Sequence, residues 1–75
     1  MHAGGNMRHF TAAQICKALK DHGWFFDRQT GSHAQYKHPD FTKLITVPMH
    51  KGRTLPPGLQ KSILTTADLS EDDVD

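Results

Sequence analysis

His33 stands directly after Gly31-Ser32 and is followed by Gln35, Tyr36 and Lys37 in the stretch RQTGSHAQYKHP, from Arg28 to Pro39. An imidazole, with an ordinary pKa near ~6.5, takes and returns protons at neutral pH, which few side chains do. Set among cationic and amide groups, that capacity suits a phosphodiester. RNA brings its own nucleophile, the 2′-OH, so a shallow site needs only a proton acceptor, positioning, and stabilisation of the charge that develops on phosphorus. In this chemistry His33 is the base. Arg28, Lys37, Lys51 and Arg53 are the cations that hold the phosphate and stabilise its charge, and Ser32 and Gln35 complete the substrate contacts. His50, in a Pro- and Gly-containing loop, is the candidate second acid for the leaving oxygen. From residue types alone the rival reading of His33 is a polar strand histidine bonded to a neighbour, and His50 reads first as an exposed loop histidine, with the acid role second. His38 precedes a proline, should face away from His33, and reads as structural. His2, His9 and His22 have no evident role.

Six histidines raise the question of a metal. Catalytic zinc wants three converging protein ligands, often two of them one helical turn apart. No Cys-x-x-Cys or helical His-x-x-x-His pair occurs, so the expectation is no metal and no cofactor. The single cysteine, Cys16, excludes an internal disulfide and fits a reducing cytosol. Its apolar neighbours suggest a buried thiol. No apolar run approaches the ~20 residues of a membrane span, and the opening MHAGGN lacks the apolar core of a signal peptide. A cytoplasmic protein without membrane contact is expected, with residues 1–10 as an extension, part of it tag-derived.

The net charge of +1 conceals an asymmetry. Up to Ala67 there are nine Lys and Arg against Asp21, Asp27 and Asp40, a net of +6; from Asp68 onward five acids give −5. A basic body with an acidic tail suggests a polyanionic partner, although a solvated surface with a disordered end at 70–75 fits the charges as well. Lys17, Lys20 and Lys61 read as solubilising helix faces.

Seventy-five residues give one domain with one modest core. Thr11 and Gln14 match a capping box, and Phe10 and Ile15 match the staple that closes over it. Ala12, Ile15, Cys16 and Leu19 keep helical spacing up to Gly23, predicting a helix over 12–22. Trp24–Thr30, Ser32–His38 and Lys43–Val47 read as strands joined by short turns, hence an antiparallel meander. Pro57 opens a second helix, with Leu59, Ile63 and Leu64 as its apolar stripe, that should end near Asp68. The order α-β-β-β-α predicts an α+β two-layer sandwich with both helices on one face of the sheet. Alternation turns Tyr36 toward the helices and His33, Gln35 and Lys37 toward the open face. Trp24 and Phe26 are expected in the core, and Phe25 and Phe41 are the candidates for exposed aromatic contact.

The segments GWFFDRQTGSHAQYKHP, ITVPMHKG and LPPGLQKSIL, in this order, resemble the HicA-type mRNA interferase toxins of bacterial toxin–antitoxin pairs. Gly23-Trp24, Arg28, Gly31-Ser32-His33, Lys37-His38-Pro39 and Val47-Pro48 carry the resemblance, which runs over roughly Thr11 to Leu69. It implies a double-stranded-RNA-binding-domain-like fold over 11–69 and a ribosome-independent endoribonuclease acting on mRNA. It also implies a HicB-type antitoxin that covers the active site, and it places the catalytic histidine at His33. Asp68 departs from the glycine that often ends the second helix in the family, and the acidic extension after Leu69 is not a family expectation. Two other readings remain at this point: a non-catalytic RNA-binding module recognising A-form shape and phosphates, and a degenerate toxin serving only protein interaction.

Overall fold

The computed structural model describes residues 8–74. The reading of residues 1–6 as an added extension, and His2 with it, lies outside the described residues. The elements are α1 (Ala12–Asp21), β1 (Phe25–Thr30), β2 (His33–Lys37), β3 (Ile45–Pro48), α2 (Pro57–Thr66) and a short 3-10 turn at Glu71–Asp73. This is the α-β-β-β-α order read from the sequence.

Helix α1 begins where its capping box says it should. The Thr11 hydroxyl accepts the Gln14 N–H at 3.2 Å, and Gln14 Oε1 accepts the Thr11 N–H at 2.8 Å. Phe10 and Ile15, both buried, close over this end. At the other end the Trp24 N–H donates to the Leu19 carbonyl at 2.9 Å and the Gly23 N–H to the Lys20 carbonyl at 3.2 Å. That pair of bonds is a Schellman stop, with Gly23 left-handed at φ 92. A Cβ on Gly23 would lie 2.8 Å from His38 Nε2. Gly23→Ala is therefore expected to cost roughly 1–2 kcal/mol for the backbone alone, and more for the displaced ring. Gly31, also left-handed at φ 59 but with open space around it, should show only the backbone part on Gly31→Ala. Urea midpoints followed by Trp24 fluorescence compare the two.

The three strands form one antiparallel sheet in the order β1-β2-β3. Gly31-Ser32 makes the two-residue turn between Thr30 and His33, with glycine first as a type II′ turn requires. Ala34 and Tyr36 on β2 stand opposite Val47 and Ile45 on β3. All four are buried, joining Ile15, Cys16, Leu19, Ile63 and Leu64 of the helices in one core. The helices thus cover one face of the sheet and leave the other open.

Three packing expectations need correction. Phe26 is not in the core but half exposed (50 %). It stands on the helix side opposite Tyr36 and meets that ring edge-on at 6.0 Å, but it lies on an edge strand and half of it stays uncovered. Phe41 is not an exposed aromatic: it is half-buried, 4.9 Å from the Trp24 ring and 4.8 Å from His38. Phe10, assigned to an extension, belongs to the core.

The second helix ends at Thr66, with Asp68 left-handed at φ 58. The Asp68 N–H donates to the Thr65 carbonyl and the Leu69 N–H to the Leu64 carbonyl, a second Schellman stop in which aspartate takes the position usually given to glycine. The segment from residue 70, expected to be disordered, is structured as far as Val74. Ser70 N–H and hydroxyl donate to Asp73 Oδ2 at 2.8 and 3.2 Å, which holds the Asp73 carboxyl below its ordinary pKa. Val74 is buried in the core. Arg8 Nη2 reaches Asp72 Oδ1 at 2.7 Å, and the Arg8 N–H donates to Glu71. Cation, cap and buried valine together fix what charge alone made look solvated.

Candidate active site

The register assigns each side chain to a face. Across the open face run the pairs Thr30–His33–Pro48 at one end, Arg28–Gln35–Thr46 in the middle and Phe25–Lys37 at the other. His33, Arg28 and Thr46 are exposed, and Gln35 and Lys37 half-buried. His33 stands first on β2 and is exposed, and its side chain makes no hydrogen bond to the other described residues.

Arg28 reaches this face through an irregularity. Strict alternation from Phe26, which lies on the helix side, would have put Arg28 on the helix side too. The register shifts between Phe26 and Arg28: Asp27 is an extra residue, a β-bulge, and Arg28 lands opposite Gln35. Arg28 thereby becomes a diagonal neighbour of His33, some 7–8 Å away between Cα atoms, within the span of a guanidinium side chain. Lys37 lies four residues along β2 from His33, roughly 13 Å. Its ammonium nevertheless shares the Asp27 carboxylate with Arg28, so the two cations stand close together on the open face. Asp27, which the sequence reading did not single out, places Oδ2 3.0 Å from Arg28 Nε and Oδ1 3.6 Å from Lys37 Nζ.

His50, Lys51 and Arg53 are not on the sheet face. They occupy the loop that leaves β3 after Pro48, the residue opposite His33. That loop is pinned to the hairpin turn by the Met49 N–H, which donates to the Ser32 carbonyl at 2.6 Å. Ser32 is seen to act through its backbone in this way. The loop is anchored from beneath as well: the Cys16 thiol lies 3.7 Å from Met49 Sδ and is hydrogen-bonded to the Tyr36 hydroxyl. Burial, followed by that bond, pushes the phenol well above its ordinary pKa. Cys16 is buried, as expected. A groove of about 360 Å³ separates the loop from the start of α1, bordered by Ala12, Ala13, Met49 and Lys51. His50 and the two cations therefore stand at the rim, at the His33 end.

The remaining aromatics divide cleanly. Phe25 is exposed on the open face beside Lys37. His38 is structural: its Nδ1 accepts the Asp40 N–H at 3.0 Å, its Nε2–H donates to the His22 carbonyl at 3.1 Å, and the ring packs on Trp24. Leu44, at 49 % exposure just before β3, is an apolar surface residue the sequence reading passed over. Among the described residues no group of three or more His, Cys, Asp or Glu gathers in a metal-holding arrangement. No helix among them is long and apolar enough to cross a membrane. The acidic turn binds Arg8 in the helical layer, so the exposed cations of the sheet face stand apart from the tail.

The chain is thus an α+β sandwich whose open sheet face carries cations and one exposed histidine. The chain matches the family model of the HicA toxin of bacterial toxin–antitoxin systems over residues 12–69. It belongs to the HicA toxin family, as the resemblance implied, and membership implies a cognate antitoxin as partner. No curated protein is similar enough to refine this assignment.

Proposed function

We propose that this toxin is a ribosome-independent, metal-independent endoribonuclease that cuts messenger RNA in the cytoplasm and is neutralised by a HicB-type antitoxin covering the open sheet face. The observation that carries the reading is His33: an exposed imidazole on the uncovered face, with Arg28 diagonal to it and Gln35 two residues along the strand. His33 takes the proton of a ribose 2′-OH. The resulting oxygen attacks the adjacent phosphorus, and the bond to the 5′ oxygen of the next nucleotide breaks. That oxygen recovers a proton from imidazolium or from water, leaving a 2′,3′-cyclic phosphate and a 5′-hydroxyl. Arg28 stabilises the extra charge on the phosphoryl oxygens, Gln35 orients the strand, and Lys37, Lys51 and Arg53 hold flanking phosphates. His50, in the loop pinned beside His33, is the candidate acid for the leaving oxygen.

A substrate with a single 2′-deoxynucleotide at the cut position tests the nucleophile. Cleavage there should fall below detection while binding is retained, and continued cutting would mean that water attacks instead. Chelator should leave the all-ribose reaction unchanged; strong inhibition would overturn the metal-free mechanism.

A further inference from the structure

Asp27 is the one acid among the described residues on the open sheet face. Asp21 pairs with Lys17 on α1, Asp40 belongs to a turn, and the acids from Asp68 onward sit with the helices. An acid on a face that takes a polyanion repels its own ligand. Yet the chain inserts an extra strand residue to place it there. Its side chain is 21 % exposed, against 66 % for Arg28 and 45 % for Lys37, so the carboxylate lies beneath the two cations rather than beside them in solvent. Half-exposed pairs of this kind add little to stability, which leaves geometry as what the arrangement provides.

We propose that Asp27 is a positioning residue: its carboxylate ties Arg28 of β1 to Lys37 of β2 as one fixed cationic pair, and its charge restrains the affinity of that pair for RNA. The inference rests on the endoribonuclease reading. With the tie in place the guanidinium and the ammonium keep one fixed spacing on the open face. Without it both long side chains rotate freely and bind phosphate in many unproductive ways. Loose binding also lets a cut strand leave.

Asp27→Asn in the full chain keeps the shape and removes the charge. Binding is followed against salt with a 2′-deoxy-blocked RNA, and cleavage in single turnover at saturating RNA. Affinity is expected to rise a few-fold at low salt, and the slope of log K against log [salt] to steepen by up to ~0.7, one phosphate contact on a single strand. The saturating rate should fall several-fold, with a thermal melt superposable on wild type. In an Arg28→Met, Lys37→Met background, where Asp27 has no cation left to position, the same change should no longer affect the rate. An unchanged saturating rate, or a rate effect that persists without both cations, overturns the positioning role. An unchanged salt slope overturns the restraint, and a variant that no longer folds makes Asp27 a structural residue and overturns both. If the wild type cuts no RNA, the enzymatic reading falls and the positioning role with it, while the salt slope still decides the restraint.

Discussion

His33→Ala is expected to lower RNA cleavage by about 10²- to 10⁴-fold, the usual contribution of one positioned acid–base group, and to abolish growth arrest on expression. RNA affinity should change by no more than about two-fold, because the phosphate contacts come from cations elsewhere on the face. The melting temperature should hardly move, since the ring is exposed and unpartnered and surface substitutions of that kind stay within about ±0.5 kcal/mol. The combination is what discriminates. A shape-reading RNA module would show wild type and variant binding alike and neither cutting. A degenerate toxin would show no salt-sensitive affinity in either. Loss of folding in the variant would mean that His33 supports structure, and the proposed chemistry would lose its base. Assay with purified RNA and no ribosomes separates direct cleavage from an effect on translation.

Much of this site was legible because β2 is regular. Ala34 and Tyr36 inward, His33, Gln35 and Lys37 outward follow from a two-residue period once one large side chain is assigned. Strand β1 breaks the rule. Its bulge depends on how it pairs with β2, which no local composition reports, so the face occupied by Arg28 and the position of Asp27 could not be read from alternation. Phe26 and Phe41 fail for a related reason: hydrophobicity states a preference for burial, but which ring is covered is decided by tertiary neighbours, an edge strand for Phe26 and the Trp24 and His38 rings for Phe41. The tail carried a readable signal that its charge obscured. Ser70-Glu71-Asp72-Asp73 has the spacing of a capping box, with the acid at the third position, and Val74 beyond it supplies an apolar anchor. Five acids in a row of eight residues outweighed both in a composition-based reading.

Gln60 shows the same limit most sharply, and its substitution should be the most damaging to the fold. Among the described residues it is the only buried side chain outside the apolar and aromatic core, fully so, in α2. The helical period places it in the apolar stripe between Leu59 and Ile63, yet its polarity argues for the outside, and its partners lie some fifty residues away. Oε1 accepts the Phe10 N–H at 3.0 Å and Nε2 donates to the Arg8 carbonyl at 2.6 Å. Gln60→Leu preserves volume but strands both backbone groups, at ~1–3 kcal/mol each, with the Arg8 carbonyl the cheaper because water reaches it. A total of roughly 2–4 kcal/mol is a large share of the ~5–15 kcal/mol available to a small domain, equivalent to a fall of about 10 °C or more in Tm. Gln60→Glu adds a test of cause. The carboxylate can still accept from Phe10 but cannot donate to Arg8, and burial raises its pKa above the unfolded value. Relative to wild type at the same pH, its defect should be smallest below the carboxylate range, where the acid is neutral and can donate, and should grow as pH rises through the folded pKa. A defect that ignores pH would assign the role to packing instead. The consequence reaches the site: Phe10 accepts the Leu55 N–H at 2.9 Å and Thr11 bridges to Thr54. Gln60 therefore fastens, through the first strand of backbone, the far end of the loop that presents Lys51 and Arg53.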